Sequence, residues 1–293
     1  MNVIQTDQID IAFITASDMP IPDQETHLIV DAAEGMGLRA GVIPWDSSTD
    51  WAQIPLVVIR TPWDYFKRLP EFLAWARRVD EITHLVNPYA VIEWSSHKRY
   101  LLELSQRGVP VVPTILFEHG TVNKIENVLK NTGWIELVIK PAVSISAFGA
   151  LRVRTEDVAS VNHLKSLLIE GDVLVQPFVP DVSVAGEVSM IYFGGEFSHA
   201  IRKRPKPGEY RVQNEYGGTV HSHVPSIEEY DVANAALSAI PGDTTYARVD
   251  LVSFNNKPVV MELELIEPEL FFSSSAIGTQ TFAKELLSVI GTK

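Results

Sequence analysis

The sequence predicts an α/β domain at the N-terminal end, followed by a larger α+β region built on antiparallel sheets. Over the first third of the chain, short apolar β-branched runs alternate with amphipathic helical patterns, which is typical of a parallel sheet with right-handed crossovers. From about residue 94, strand-like runs follow one another through short turns, which is typical of antiparallel hairpins. The 293 residues suffice for two or three domains.

Four strands and two helices are predicted within residues 1–93. The run "IDIAFITA" is apolar and β-branched, as in a buried parallel strand. A helix follows from "QETHLIV" and ends near Gly35 or Gly37, and "AGVIPW" forms the second strand. The third strand, "IPLVVIR", breaks into a loop at Thr61-Pro62. The amphipathic helix "LPEFLAWARRVD" and the short strand "THLVNP" complete this α/β domain.

Two further units are predicted over residues 94–175 and 176–293. The first contains a Ser-capped helix and a strand in "SSHKRYLLELSQRGVPVVPTILF", then two strands around a small-residue loop in "WIELVIKPAVSISAFGALRVRT". The strand "DVLVQPFV" leads into the second unit. There, "GEVSMIYFGGEFSHAIRKRP" is a hairpin that turns at Gly194-Gly195. The helix "VANAALSAI", two strands and the helix "TFAKELLSVI" follow.

Charge and composition exclude several classes of function. The formal net charge of −13 argues against a general nucleic-acid binder, which needs a basic surface for phosphates. No apolar run approaches the roughly 20 residues that span a bilayer. The absence of cysteine excludes disulfides and thiolate nucleophiles. Since "MNVIQTDQID" does not resemble a secretory signal, a cytoplasmic location is expected, with a homodimer as the commonest assembly of soluble enzymes.

Four carboxylates lie within two otherwise apolar strands near the C-terminal end. They belong to Asp250, Glu262, Glu264 and Glu267. Burying unpaired carboxylates costs several kcal/mol or shifts them to the neutral form. Glu262 and Glu264 point to one face of a strand, and the turn "NNKP" lets Asp250 reach the same face. A cation would relieve their repulsion, and oxygen ligands suit Mg²⁺. The alternative is an exposed strand face with scattered acids, which the apolar neighbours disfavour.

A lysine and a loop of small residues indicate phosphate binding in the middle of the chain. Lys140 ends the apolar run "LVIK" and either pairs with a phosphate or reaches water through its long stem. The loop "SISAFGA" follows, and its small residues let backbone N–H groups approach phosphate oxygens. Small residues in this loop include Ser144, Ser146 and Gly149.

Basic residues provide two further candidates. The segment "IRKRPKPGEYR" is a dense basic run between strand-like segments; a solvated face is the ordinary interpretation of such a run. Arg248 lies two residues before Asp250 and therefore on the same strand face. It either stabilises charge that develops in phosphoryl transfer or forms a structural ion pair. The spacing leaves both roles open.

Taken in order, these segments resemble the ATP-grasp superfamily, in its glutathione synthetase and RimK-like branch. The matching segments are Lys98, Lys140, the small-residue loop, "VQPFVPD", "RKRPKPGEYR", "ARVD" and "ELELIEPEL". The family pattern R-x-P-x-x-G-E-x-R…G-G is matched by Arg204, Pro205, Gly208, Glu209, Arg211, Gly217 and Gly218. The metal motif E-x-N-x-x-x-P is matched at Glu262 and Pro268, with Glu264 in place of asparagine.

The resemblance implies an ATP-grasp fold, in which two antiparallel-sheet subdomains clasp ATP, behind an N-terminal substrate domain. The residues it implies for the triphosphate are Lys98, Lys140, Ser144, Ser146, Gly149, Lys203 and Arg211. Those implied for adenine and ribose are Gln176, Phe178, Val179 and Asp181. Those implied for two Mg²⁺ ions are Asp250, Glu262 and Glu264. The family's arginine aligns with Lys203, which Arg202 and Arg204 flank, so which of the three contacts the γ-phosphate stays open.

The activity that the resemblance implies is ATP-dependent ligation of a carboxylate to a nitrogen. An acyl phosphate forms first, and an amine-type nitrogen attacks it while Arg248 steadies the developing oxyanion. The segments "RTPWDY" and "HKRYLLEL" resemble a subgroup of cyclo-ligases that close O-ureido-D-serine to D-cycloserine. An intermolecular, peptide-type ligase for amino acids is the alternative.

The loop "RTPWDYF" is expected to bind a small amino-acid-like substrate. Loops that leave the carboxyl ends of parallel strands are the usual ligand sites of such sheets. Arg60 would bind a carboxylate and Asp64 an ammonium group, with Trp63 and Tyr65 as the walls. Alternatively, the two aromatic residues are packing residues and Asp64 caps the following turn.

Two other classes of protein remain for comparison. A non-catalytic ATP-binding module is disfavoured, since the lysines and acids that the family uses are all present. A nicotinamide-dependent dehydrogenase would need G-x-G-x-x-G after the first strand, and "TASDMPIPDQ" contains no glycine.

Overall fold

The computed structural model describes residues 9–18, 23–121, 125–213, 216–275 and 277–291. The strands are β1 (Ile11–Thr15), β2 (Ala40–Pro44), β3 (Leu56–Thr61), β4 (His84–Val86), β5 (Ile115–Phe117), β6 (Glu136–Pro141), β7 (Leu151–Arg154), β8 (Val173–Pro177), β9 (Glu187–Phe193), β10 (Glu196–Arg204), β11 (Thr219–Ser222), β12 (Tyr246–Phe254) and β13 (Lys257–Glu264). The helices are α1 (Gln24–Gly35), α2 (Leu69–Ile82), α3 (Tyr89–Ser95), α4 (Tyr100–Gln106), α5 (Ile125–Asn131), α6 (Val158–Leu167), α7 (Asp181–Val184), α8 (Ile227–Leu237) and α9 (Gly278–Gly291). None of the described helices combines the length and the apolar character that crossing a bilayer requires.

A parallel sheet forms the N-terminal unit, as predicted. Its strands lie in the order β2-β1-β3-β4. Its strands are apolar on both faces because helices cover both. In β1, Ile11 and Phe13 join the cluster that contains α1, while Ala12 and Ile14 join the cluster of α2. This arrangement places the carboxyl ends of β3 and β4 at one edge, where ligands usually bind.

Two antiparallel sheets follow, which confirms the predicted α+β region. The first has the order β5-β8-β6-β7 and the second has the order β11-β10-β9-β12-β13. The predicted limit at residues 93 and 94 falls inside α3, and that at 175 and 176 falls inside β8. These domain limits therefore stay predictions.

The predicted serine cap of the helix after Trp94 is wrong. Helix α4 begins only at Tyr100, and Arg99 precedes it without a capping side chain. Ser95 and Ser96 instead end α3, since their hydroxyls donate to the carbonyls of Val91 and Glu93. Helices α3, α5, α6 and α7 were not predicted, because they are short and their apolar periodicity spans fewer than three turns.

Two β-bulges determine which side chains share a face of the larger sheet. In β10, Ser198 is an extra residue, so that Lys203 lies opposite Glu187. In β13, Met261 is an extra residue, so that Asp250 lies opposite Glu262. A bulge shifts the register by one residue and thereby turns the following side chains to the other face.

The close approach of β9 to β10 gives a stability prediction for Gly186. This glycine has a φ of +82°, and a Cβ atom there would lie 2.2 Å from the carbonyl oxygen of Lys203. Gly195 has nearly the same φ, +81°, but its Cβ would meet nothing within 4 Å. We expect Gly195→Ala to cost roughly 1 kcal/mol of unfolding free energy from backbone strain alone. Gly186→Ala should cost at least about 2 kcal/mol more, because the clash with backbone displaces a strand.

Urea denaturation of both variants measures the difference. Equal losses would show that the contact with Lys203 relaxes without cost.

Candidate active site

A cavity of about 500 Å³ lies where the edge of the parallel sheet meets both antiparallel sheets. Most of the residues predicted from the sequence line this cavity, although they come from distant segments. They are Arg60, Trp63, Tyr65, Lys98, Lys140, Ser144, Ser146, Gln176, Phe178, Val179, Lys203, Arg211, Arg248, Asp250, Glu262 and Glu264.

An acidic face on β12 and β13 forms one wall, and Arg248 organises it. Arg248 lies opposite Glu264 in the sheet, and Asp250 lies opposite Glu262. The Nη2 atom of Arg248 is 2.9 Å from Asp250 Oδ2 and 2.7 Å from Glu264 Oε1. Burial acts to raise the pKa of Asp250, but the Arg248 and Lys203 cations outweigh burial and hold that pKa at about 2. Asp250 is therefore ionised throughout the neutral range.

Lys203 extends this network across the sheet. Its Nζ atom is 2.5 Å from Glu187 Oε1 and 3.5 Å from Asp250 Oδ2. Although burial opposes the charged form, the Asp250 and Glu187 carboxylates raise the pKa of Lys203. Of the three basic neighbours, Lys203 alone lines the cavity: Arg202 turns away to the carbonyl of Ala185, and Arg204 is exposed.

Two lysines face the acidic wall from the other side. The Nζ atom of Lys98 donates to the carbonyl of Ser144 at 2.5 Å and lies 3.0 Å from Glu262 Oε1. Lys140 is buried, and its ammonium group has neither a hydrogen bond nor an ion pair with any described residue. Burial lowers the pKa of Lys140, with the Glu262 carboxylate acting in the opposite direction. A buried ammonium without a close partner is suited to an anion such as a phosphate.

The oxygen-only donors of Asp250, Glu262 and Glu264 fit Mg²⁺ in their chemistry. In the described part of the chain, however, no three histidine, aspartate or glutamate side chains are arranged as a ready metal site. The present cationic partners of these acids are Arg248, Lys98 and Lys203. The metal-ligand roles therefore stay predictions.

The cavity continues into a cleft between the two antiparallel sheets. The amide of Gln176 donates to Thr114 Oγ1 at 2.9 Å, and Val179 is buried beside it. The Phe178 ring is covered by the Arg152 guanidinium at 3.6 Å. Arg211 is held in its loop by Glu209 at 2.7 Å and by stacking on the Tyr216 ring.

The edge of the parallel sheet contributes Arg60, which is 2% exposed. Its Nη2 atom donates to the carbonyl of Pro268 at 3.0 Å and lies 3.4 Å from Glu25 Oε2. The Nε and Nη1 atoms have no hydrogen-bond partner among the described residues. Nearby, Tyr65 and Glu267 also line the cavity, and burial raises the pKa of Glu267 to about 8. This part of the cavity combines a cation that has unused donors with a carboxyl group.

Three predicted residues do not line the cavity. Asp64 accepts a hydrogen bond from Trp45 Nε1 at 2.8 Å and lies 3.3 Å from Arg68, so its side chain is used elsewhere. Gly149 has a φ of +71° and lies against Pro141, so it shapes the loop. Asp181 accepts from the Ser253 hydroxyl at 2.8 Å. The alternative prediction that Asp64 caps the following turn is wrong, since its side chain makes no capping hydrogen bond. Its role toward the substrate stays a prediction.

Sequence reasoning also missed residues that line the cavity. Glu25, at the start of α1, accepts hydrogen bonds from the backbone N–H groups of Leu270 and Phe272 at 2.7 and 2.9 Å. Glu187 pairs with Lys203. No local pattern indicates Glu25, because its partners are about 245 residues away in sequence. The pairing of Glu187 with Lys203 can be inferred from the predicted hairpin only if the bulge in β10 is known.

The fold and the site together define an ATP-grasp protein. Residues 98–290 match the RimK-like ATP-grasp domain, and residues 11–87 match the N-terminal domain of the D-cycloserine synthetase DcsG. The chain is 33% identical to the cycloserine biosynthesis protein DcsG of Streptomyces lavendulae over 94% of its length and 97% of that protein.

Solved structures agree with this assignment. The crystal structure of D-cycloserine synthetase DcsG matches with a TM-score of 0.86 at 29% identity, over 96% of this chain and 99% of that one. D-alanine–D-alanine ligase from Bacillus anthracis matches with a TM-score of 0.65 at 14% identity, over 96% and 97%, which shows the shared fold. The chain belongs to the RimK-like ATP-grasp family, in the group that includes DcsG. It is an ATP-dependent ligase that joins a carboxylate to a nitrogen.

The pairing of Arg248 gives a second stability prediction. We expect Arg248→Gln to lower the free energy of unfolding by about 3 kcal/mol, because Asp250 and Glu264 then lose the guanidinium group that bridges them on a buried face. Arg77→Gln is the matched control, since Arg77 pairs with Glu81 at 3.2 Å on an exposed helix face. Exposed pairs of this kind contribute under about 0.5 kcal/mol.

Urea denaturation measures both variants. Losses of the same size in the two proteins would contradict the central role of Arg248.

Proposed function

We propose that this ligase closes O-ureido-D-serine to D-cycloserine, with the reacting carboxylate and nitrogen in one molecule. The observation that carries the proposal is the similarity to DcsG, which extends over the N-terminal domain as well as the ATP-grasp region. Arg60 supports it, because it offers unused N–H groups to a substrate carboxylate at the edge of the parallel sheet.

In the reaction, ATP supplies the γ-phosphoryl group, which makes the substrate an acyl phosphate with ADP as the first product. The N–H nitrogen of the ureido group attacks the acyl carbon, gives up its proton and expels phosphate, which closes the ring. One water then hydrolyses the N-carbamoyl group, which leaves as carbon dioxide and ammonia, and D-cycloserine remains. In this proposal, Lys98 and Lys140 hold phosphate oxygens, and Lys203 neutralises charge on the transferred group. Arg248 lies beside them and steadies the oxyanion. Such a site works mainly by positioning and electrostatics.

Mg²⁺ is the metal of this family, and its place in the proposal is the acidic face. Asp250, Glu262 and Glu264 would hold two ions and thereby neutralise phosphate charge. We also propose that two Mg²⁺ ions bind and that the protein acts in the cytoplasm. A homodimer is proposed as the assembly, and sedimentation measurements of the molecular mass test it.

A direct assay tests the proposed reaction. Incubation with O-ureido-D-serine, ATP and Mg²⁺ should yield ADP and D-cycloserine, the latter identified by mass spectrometry. A panel of single and paired amino acids, and O-ureido-L-serine, are the controls. A dipeptide product, or ADP formed only with paired amino acids, would instead identify an intermolecular ligase.

Two substitutions should separate the nucleotide end of the cavity from the substrate end. Lys140→Met should raise the KM for ATP roughly tenfold to a hundredfold, because a charge-assisted hydrogen bond contributes about 1.5–3 kcal/mol. It should leave the KM for O-ureido-D-serine nearly unchanged. Arg60→Gln should raise the KM for O-ureido-D-serine and leave the KM for ATP nearly unchanged. Steady-state kinetics with each substrate varied in turn measures both.

The test depends on each variant raising the KM of a different substrate. If both variants raise the same KM, or if Arg60→Gln leaves the KM for the acid unchanged, the assignment of Arg60 to the substrate carboxylate fails.

A further inference from the structure

The hydroxyl of Tyr246 lies at the junction between the parallel sheet and the acidic strands. Tyr246 is fully buried. Its hydroxyl is 2.7 Å from the carbonyl oxygen of Ile266, 3.0 Å from that of Ile59 and 3.4 Å from that of Val86. The three carbonyls come from the segment after β13, from β3 and from β4. One side chain therefore connects two neighbouring strands of the parallel sheet to the segment that follows the last strand of the larger antiparallel sheet.

Asn87, directly after β4, reinforces the same junction. Its Nδ2 atom donates to the carbonyls of Tyr246 and Leu265 at 2.9 and 2.8 Å, and its Oδ1 atom accepts from the N–H of Thr245 at 2.8 Å. Asn87 thus pairs only with backbone and is fully buried. The amide fixes the ends of β12 and β13 relative to β4.

The junction matters for the site because of the residues beside it. Ile59 immediately precedes Arg60, which has the unused donors, and Ile266 immediately precedes Glu267. Tyr246 itself lies two residues before Arg248 on the same strand. The hydroxyl therefore bridges backbone that carries the substrate end of the cavity and backbone that carries the acidic face.

We propose that Tyr246 is a positioning residue, whose hydroxyl sets the spacing between Arg60 and the face formed by Arg248 and Glu264. The proposal rests on the proposed function in that Arg60 is taken to hold the substrate carboxylate. A hydroxyl has one proton, so Tyr246 donates to one carbonyl at a time, and Ile266 is the nearest. Without the hydroxyl, buried carbonyls lose a partner and the junction relaxes. Misplacement by about 1 Å is enough to reduce a rate a hundredfold.

Tyr246→Phe removes only the hydroxyl and keeps the ring that packs edge-on against Phe282. Tyr192→Phe is the matched control. Tyr192 lies on the neighbouring strand, opposite Ala247, and is equally buried, but its hydroxyl has no partner among the described residues. We expect Tyr246→Phe to lower kcat at least about tenfold while the KM for ATP stays within about twofold. Tyr192→Phe should match the unmodified protein in both.

Hydrogen–deuterium exchange provides a second readout that needs no substrate. In Tyr246→Phe, amides of residues 265–272 and of the end of β3 should exchange faster than in Tyr192→Phe, while the rest of the larger sheet stays protected. Unchanged exchange at these segments would overturn the proposal. So would faster exchange throughout the sheet with a raised KM for ATP, since that pattern indicates general loosening.

The two proposals fail in different ways. If O-ureido-D-serine is not converted, the proposed function fails, and kcat is then measured with whichever acid in the amino-acid panel releases ADP. If no acid releases ADP, the exchange pattern alone decides for or against Tyr246.

Discussion

The one-residue bulge at Met261 is the constraint on which the rest of the site depends. The turn at Asn255 and Asn256 starts the β12–β13 hairpin in a register that would pair Asp250 with Met261. In that register, Asp250 and Glu262 would point to opposite faces of the sheet. The extra residue shifts the pairing, so that both acids, together with Arg248 and Glu264, face the cavity. Bulges commonly re-aim side chains in this way beside active sites.

Ion pairs within the protein then keep this concentration of charge compatible with folding. Arg248 bridges Asp250 and Glu264, Lys98 approaches Glu262, and Lys203 lies between Glu187 and Asp250. Buried pairs of this kind add little net stability, but breaking one leaves an uncompensated charge. In the proposed reaction, the same side chains would exchange partners as a triphosphate and Mg²⁺ bind. The network therefore links folding of the acidic strands to the chemistry that the family performs.

Much of the fold and of the site could be predicted from the sequence, and the failures have physical causes. The strands of the parallel sheet have buried apolar runs, and local patterns of this kind are informative. Asp64 lies in the loop that is predicted to bind the substrate, but Trp45 and Arg68 hold its side chain outside the cavity. Glu187 was missed because the bulge at Ser198 determines its pairing with Lys203.

The sequence by itself determined the classes of structure and chemistry. Its alternating and continuous apolar runs predicted the two kinds of sheet, and the charges within apolar strands indicated functional roles for Lys140 and the acids. Only the tertiary structure decided which of Arg202, Lys203 and Arg204 faces the cavity. It also decided that Glu25, Arg60 and Tyr246 meet the segment after β13. The reason is that these contacts join residues about 20 to 250 positions apart through backbone groups, which carry no sequence signal.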